Sequence, residues 1–112
     1  MPEKKIKLNA LQSKTLILLQ VMANDDRMSA PGPLEGSRVI VSLPHAHGSH
    51  MHVGQYVVSS KDATGLQNPS VWKALHRKGF VGENGPSEML VTKEGLEFST
   101  GLEDKFMSVS DH

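Results

Sequence analysis

Four histidines stand close together in the middle of the chain: His45, His47, His50 and His52, with the spacing H-x-H-x-x-H-x-H. Neutral imidazole is a ligand for zinc, nickel and copper. In extended backbone alternate residues share a face, so His45 and His47 point one way together, as do His50 and His52. These four are the candidate metal ligands, and Zn²⁺ or another transition metal is the cofactor they would take. The chain has no cysteine to complete a thiolate site, and the nearest preceding acid is Glu35. The competing reading is an exposed polar loop with incidental metal affinity.

A second set of residues is cationic. Ser70, Lys73 and Arg77 recur at i, i+3 and i+7, which places them on one stripe of a helix. Lys78 follows directly, and His76 adds charge only when protonated. Lysine supplies charge to a phosphate, arginine binds phosphate or guanine, and a serine near a helix N-terminus meets a phosphate or a base edge. Lys4, Lys5 and Lys7 form a further basic segment that would serve as an arm. Basic residues late in a helix also complement its dipole, so a solvated face is the alternative.

The charge balance limits what these cations can do. The 112 residues hold 12 Lys+Arg and 12 Asp+Glu, a formal net charge of zero. That excludes a protein that coats nucleic acid by bulk charge. The distribution is uneven, however. Residues 1–14 carry Lys4, Lys5, Lys7 and Lys14 against Glu3, a net of +3, and residues 68–82 carry Lys73, Arg77 and Lys78 with no acid, also +3. Residues 83–112 hold seven acids and two lysines, a net of −5. A local basic footprint is compatible with this pattern.

The elements that must position these residues follow from periodicity and punctuation. Residues 9–23 read as a helix: Asn9 caps it, Gln12 occupies the capping-box position, and Leu11, Thr15, Leu18, Leu19 and Met22 keep helical spacing. Leu16, Ile17 and Val21 add apolar residues on other faces, which predicts burial on several sides. Residues 24–37, with Pro31-Gly32-Pro33, read as a loop. Residues 38–43 and 51–59 are β-branched runs, and together they predict a β-hairpin with the histidines at its tip and Gly54 as a bulge. Ser60 caps a short helix that Gly65 stops. Asn68 and Pro69 open a helix over 70–78, with Gly79 as its C-terminal cap. Phe80-Val81 and Met89-Leu90-Val91 read as short strands flanking a turn-rich loop. Thr92 caps a last helix, whose apolar spacing continues to Leu102 and Phe106. The segments 1–8 and 108–112 are expected to be flexible.

Several of these motifs occur together in the order of a known domain. Ala63-Thr64-Gly65-Leu66, then Pro69-Ser70-Val71-Trp72-Lys73-Ala74-Leu75, then Arg77-Lys78-Gly79-Phe80-Val81, and finally Leu90-Val91-Thr92-Lys93-Glu94-Gly95 follow one another. In this, residues 61–98 resemble winged helix-turn-helix domains, particularly those of bacterial regulators of the multiple-antibiotic-resistance type. The chain departs from that pattern where Ser60 and Lys61 stand at positions that are usually apolar, and in the long segment 38–59. The loop after Val81 also contains no Lys or Arg, and Glu83 and Glu88 bracket it.

The resemblance implies a single α+β domain over residues 1–112, a winged helix-turn-helix with an extended histidine-tipped hairpin before the recognition helix. It implies a transcriptional regulator that lays helix 69–78 into the major groove of double-stranded DNA, with Ser70, Lys73, His76, Arg77 and Lys78 at the interface. It also implies a homodimer, for which Leu96, Phe98, Leu102 and Phe106 would supply either interface or core. The alternatives are a winged-helix module that binds a protein partner instead of DNA, and a metal-responsive protein using the histidine loop.

Catalysis is not expected. There is no Gly-x-Ser-x-Gly elbow, no Gly-x-x-x-x-Gly-Lys phosphate loop and no thiol. The adjacent Asp25 and Asp26 read as solvated turn residues. No run of 18 apolar residues occurs, and the reading is a soluble cytoplasmic protein without a membrane partner.

Overall fold

A computed structural model describes residues 7–43, 46–54, 56–100 and 108–109, with the backbone alone at 46–47 and 108–109. The first helix, α1 (Ala10–Ala23), begins as its sequence dictates. The Asn9 side chain accepts the Gln12 backbone N–H at 2.7 Å, and the Gln12 side chain accepts the Asn9 N–H at 3.0 Å. These reciprocal bonds satisfy donors that a helix start leaves open. Ser13, Thr15 to Leu19, Met22 and Ala23 are buried, so α1 is enclosed on most of its circumference. It packs against both sheets and against the helical segments that follow.

Three short strands form the first sheet, in the order β1 (Ser29–Pro31), β2 (Arg38–Ile40), β6 (Leu90–Val91). Both pairings are antiparallel, with Ala30 opposite Val39 and Val39 opposite Leu90. Val81 adds a bridge to Val91 on the far side of β6. Strand β1 lies inside the stretch that the Pro-Gly-Pro sequence marks as loop. Pro31 is tolerated there because it ends an edge strand, where a missing N–H removes little from the ladder. Arg38 ties this sheet to α1. Its guanidinium donates to the Ala23 carbonyl at 3.2 Å, to Ser29 Oγ at 2.9 Å and to Asp26 at 3.0 Å, placing a cation at the negative end of the helix.

The second sheet has the order β3 (Ala46–His47), β4 (His50–Val53), β5 (Tyr56–Ser59), β7 (Ser108–Val109), all antiparallel. This overturns the expected hairpin between 38–43 and 51–59. Both edges of β2 are occupied, by β1 and by β6, so β2 has no edge left for the later segment. Its run stops at Ile40, and Val41 beyond it is 63% exposed. The segment 51–59 instead folds on itself: Gly54, with φ +60, is not a bulge but part of the turn that brings Val53 opposite Tyr56. Ser108 and Val109, expected to be frayed, pair with Val57 and Tyr56. The rest of both expected flexible ends, apart from Lys7 and Leu8, lies outside the described residues.

The short helix expected after Ser60 is a 3₁₀ helix over Ser60–Gln67, and it runs past Gly65 instead of stopping there. Ser59, not Ser60, caps it, accepting the Lys61 N–H at 3.3 Å. Gly65 serves close packing: a Cβ there would strike the Thr15 hydroxyl of α1. Lys14 of α1 and Asp62 form an ion pair at 2.8 Å across the same contact.

Helix α2 (Pro69–Arg77) starts at Asn68, whose side chain accepts the Ser70 N–H at 3.0 Å, and Pro69 fills the first helical position. Lys78 is its C-terminal cap, and Gly79 beyond it adopts φ +83, a left-handed conformation that favours glycine. A loop with one 3₁₀ turn (Gly85–Ser87) leads to β6. Helix α3 (Lys93–Glu97) is capped by Thr92 and ends at Phe98, where the backbone turns extended. Its expected continuation through Leu102 and Phe106 lies outside the described residues. Leu96 and Phe98 are partly buried against the core, and the Phe98 ring stands 4.6 Å from that of Phe80. One contiguous cluster runs from Leu16 to Val91, drawing on α1, both sheets, the 3₁₀ helix and α2. The architecture is α+β.

Candidate functional site

Helix α2 divides cleanly into two faces. Val71, Trp72, Ala74 and Leu75 are buried, and Trp72 is anchored by its indole N–H, which donates to the Leu66 carbonyl at 3.0 Å. That bond locks α2 to the 3₁₀ helix before it, because a buried indole N–H must find an acceptor. Ser70, Lys73, His76, Arg77 and Lys78 are all exposed. The sequence stripe therefore becomes a real surface, held rigid from behind by the core. Glu83 of the neighbouring loop lines a groove beside it.

The loop after α2 folds back along this surface. Gly85, with φ +55, packs against the Trp72 side chain, and its buried position leaves little room for a larger residue. Its carbonyl receives the backbone N–H groups of Glu88 and Met89 at 3.0 and 2.9 Å. Met89 itself takes φ +56, a conformation that costs a non-glycine residue roughly 1–2 kcal/mol. Between the loop and α2 lies a groove of about 340 Å³, lined by Pro69, Trp72, Lys73, His76 and Arg77 on one side and by Glu83 to Pro86 on the other. His76 Nδ1 lies 3.1 Å from the Val81 carbonyl. A carbonyl only accepts, so Nδ1 carries the proton and Nε2 is the ring's remaining nitrogen.

The groove was not legible in the cationic stripe. Its helical wall follows from periodicity, but its second wall depends on Gly85 adopting a positive φ. The Gly85-Pro86 pair was the available signal for a turn there. Lys7 is exposed, whereas Lys4 and Lys5 lie outside the described residues.

The histidines are placed by the second sheet. His50 and His52 are exposed on β4, and their rings stand 5.3 Å apart, edge to face. His47 holds the register position opposite His50. His45 lies outside the described residues. Among the described residues no three His, Cys, Asp or Glu side chains are gathered in a metal-holding group.

The two aspartates of the first turn are structural. Asp25 accepts from the Arg27 backbone N–H at 2.9 Å and from its guanidinium at 3.0 and 3.1 Å. The Arg27 side-chain bond is the first cause that holds the Asp25 carboxyl below its ordinary value, and the same pairing raises Arg27. Asp26 pairs with Arg38. They edge a second depression of about 450 Å³ with Val21, Gly54 and Tyr56.

No protein family, characterised protein or solved structure matches this chain.

Among the described residues, no helix is long and apolar enough to cross a membrane.

Proposed function

We propose that the chain is a DNA-binding domain of the winged helix-turn-helix kind, acting in control of transcription with α2 as the recognition helix. The observation that carries this reading is the division of α2. One face is fixed in the core around Trp72, and the opposite face exposes Ser70, Lys73 and Arg77, with Lys78 exposed at the C-terminal cap. A recognition helix needs both properties: rigid support behind and donors and cations in front. The order of elements supports the same reading. A strand (β2), a short helical segment and α2 precede two antiparallel segments, at Val81 and β6, that flank a loop. That loop is the counterpart of a wing.

Most of the affinity of such a helix is electrostatic and falls steeply with salt. Titration of a labelled duplex of about two helical turns, followed by fluorescence anisotropy, tests this. The unmodified chain should bind at low salt and weaken as salt rises. Lys73→Ala with Arg77→Ala should cost about 1 kcal/mol or more, and flatten the salt dependence by about one unit per lost phosphate contact. Absence of binding at low salt sinks the reading, as does a double variant that binds like the parent.

A second reading is favoured by the groove. Glu83 and Pro86 on the loop, with Pro69 and Trp72 on the helix, make a mixed apolar and acidic wall beside Lys73 and Arg77. Such a surface suits a peptide segment of a protein partner. A chain that ignores duplex DNA at low salt while Trp72 fluorescence responds to a partner peptide would support this alternative. Homodimerisation is part of the first proposal, and sedimentation of the free chain across micromolar concentrations tests it.

A further inference from the structure

We propose that His76 makes DNA binding by α2 pH-dependent: protonated at Nε2, its ring takes a phosphate where the helix meets the loop 82–88, and affinity rises as pH falls. That regulation rests on α2 acting as the recognition helix.

The helix sets His76 beside the main stripe. At about 100° per residue, Ser70, Lys73 and Arg77 fall within one exposed sector, and His76 lies on its flank next to Lys73. The ring lines the groove with Lys73 and Arg77, and Glu83 stands on the opposite wall. Its own hydrogen bond fixes it there. Nδ1 donates to the Val81 carbonyl, 3.1 Å away at the start of the loop. Val81 is buried and bridged to Val91 of β6, so the sheet holds the acceptor in place. One ring nitrogen is thus committed in either charge state. Nε2 makes no hydrogen bond among the described residues, and His76 is exposed. Gain or loss of the Nε2 proton therefore changes the charge without releasing the ring.

The surroundings give that proton a consequence. An α-helix about 10–12 Å across fills a major groove about 12 Å wide, so residues on the flanks of its reading face meet the phosphates. The loop on this flank offers them no cation: residues 82–88 contain Glu83 and Glu88 and no Lys or Arg. The Glu88 carboxylate lies over Gly82. On the other elements packed nearby, Lys93 runs along Gly36, and Lys14 pairs with Asp62. None of these three is among the described residues that line the groove. With the ring neutral, Lys73 and Arg77 alone face Glu83 there. The imidazolium adds a third cation and a second N–H donor, and histidine is the side chain that ordinarily changes charge between about pH 5 and pH 8. The duplex prefers the protonated ring, so binding takes up a proton and tightens as pH falls.

The test is titration of a labelled duplex with the full chain, followed by fluorescence anisotropy at about pH 5.5 and about pH 7.5 over several concentrations of one salt. Affinity should be about fivefold or more higher at the lower pH, with the logarithmic salt slope steeper by about 0.9, the share of one phosphate. His76→Asn is the matched variant, since its side-chain amide replaces Nδ1 as donor to Val81 and carries no charge. It should keep its fold by circular dichroism, bind like the parent at the higher pH and lose the pH response. His50 and His52 are common to parent and variant, so any response of theirs persists in both. Calorimetry of the parent in buffers of differing ionisation enthalpy gives a readout without a variant: at about pH 6.5, binding should show net proton uptake. Parent affinities within about twofold at the two pH values, no proton uptake, or a His76→Asn variant that keeps the parent's response would overturn the proposal and leave the α2 reading standing. Absence of duplex binding at both pH values would overturn the two together.

Discussion

Asp25 and Arg27 close the turn after α1 through three bonds from one arginine to one carboxylate. Because the Arg27 hydrogen bond lowers the Asp25 value, the folded state favours the ionised carboxylate more than the unfolded chain does. The contribution is therefore fully present above the ordinary carboxylate range and is lost as pH falls through the lowered value. A carbon-detected pH titration should place Asp25 below an ordinary aspartate, and Arg27→Ala should return it upward. At this scale the sequence was informative for several partners near in the chain, though not for Ser59, which caps the 3₁₀ helix in place of Ser60, nor for the Asp25–Arg27 pair. The caps by Asn9, Asn68 and Thr92 are all made within three residues, and all were legible. Arg38 was not. Its partners, Ala23, Ser29 and Asp26, are brought to it only by the pairing of β1 with β2.

Helices α1, α2 and α3 illustrate how local signals suffice for an element, and the strands show where they stop. Caps and apolar spacing identify α1, α2 and the start of α3. Pairing of strands is a different matter, since β2 draws one partner from residues 29–31 and the other from residues 90–91. Adjacency in sequence suggested the wrong hairpin, because two β-branched runs say nothing about which edges are already taken. Glycine was similarly ambiguous: Gly65 looked like a helix stop, and its small size serves contact with Thr15 instead. Helix α3 offers a test of such close packing. A Cβ on Gly95 would strike the Phe80 backbone carbonyl, which cannot rotate away as a side chain could. Gly95→Ala should destabilise the chain by about 1–3 kcal/mol, read as a lower urea midpoint with an unchanged slope. A midpoint equal to the parent's contradicts this packing.

Across the whole molecule, α1 sits between the two sheets and the helical segments, and a single contiguous core supports both surfaces of interest. The net charge of zero conceals a cationic face on α2, with Glu83 across a groove from it. The cationic wall was legible from periodicity. The groove was not, because a loop's path over a helix depends on tertiary packing at Gly85. The histidine face was half legible: its spacing was evident, whereas its position on β4, and the turn that sets His47 against His50, required the fold. The proposed contact is between the exposed face of α2 and duplex DNA. Backbone amide spectra of the nitrogen-15 chain, recorded while duplex DNA is added at low salt, test this most directly. The shifted amides should cluster at Asn68 to Lys78, with weaker changes in the loop 82–88 and little change along β4 and β5. Shifts confined to the second sheet, or none at saturating DNA, would contradict it.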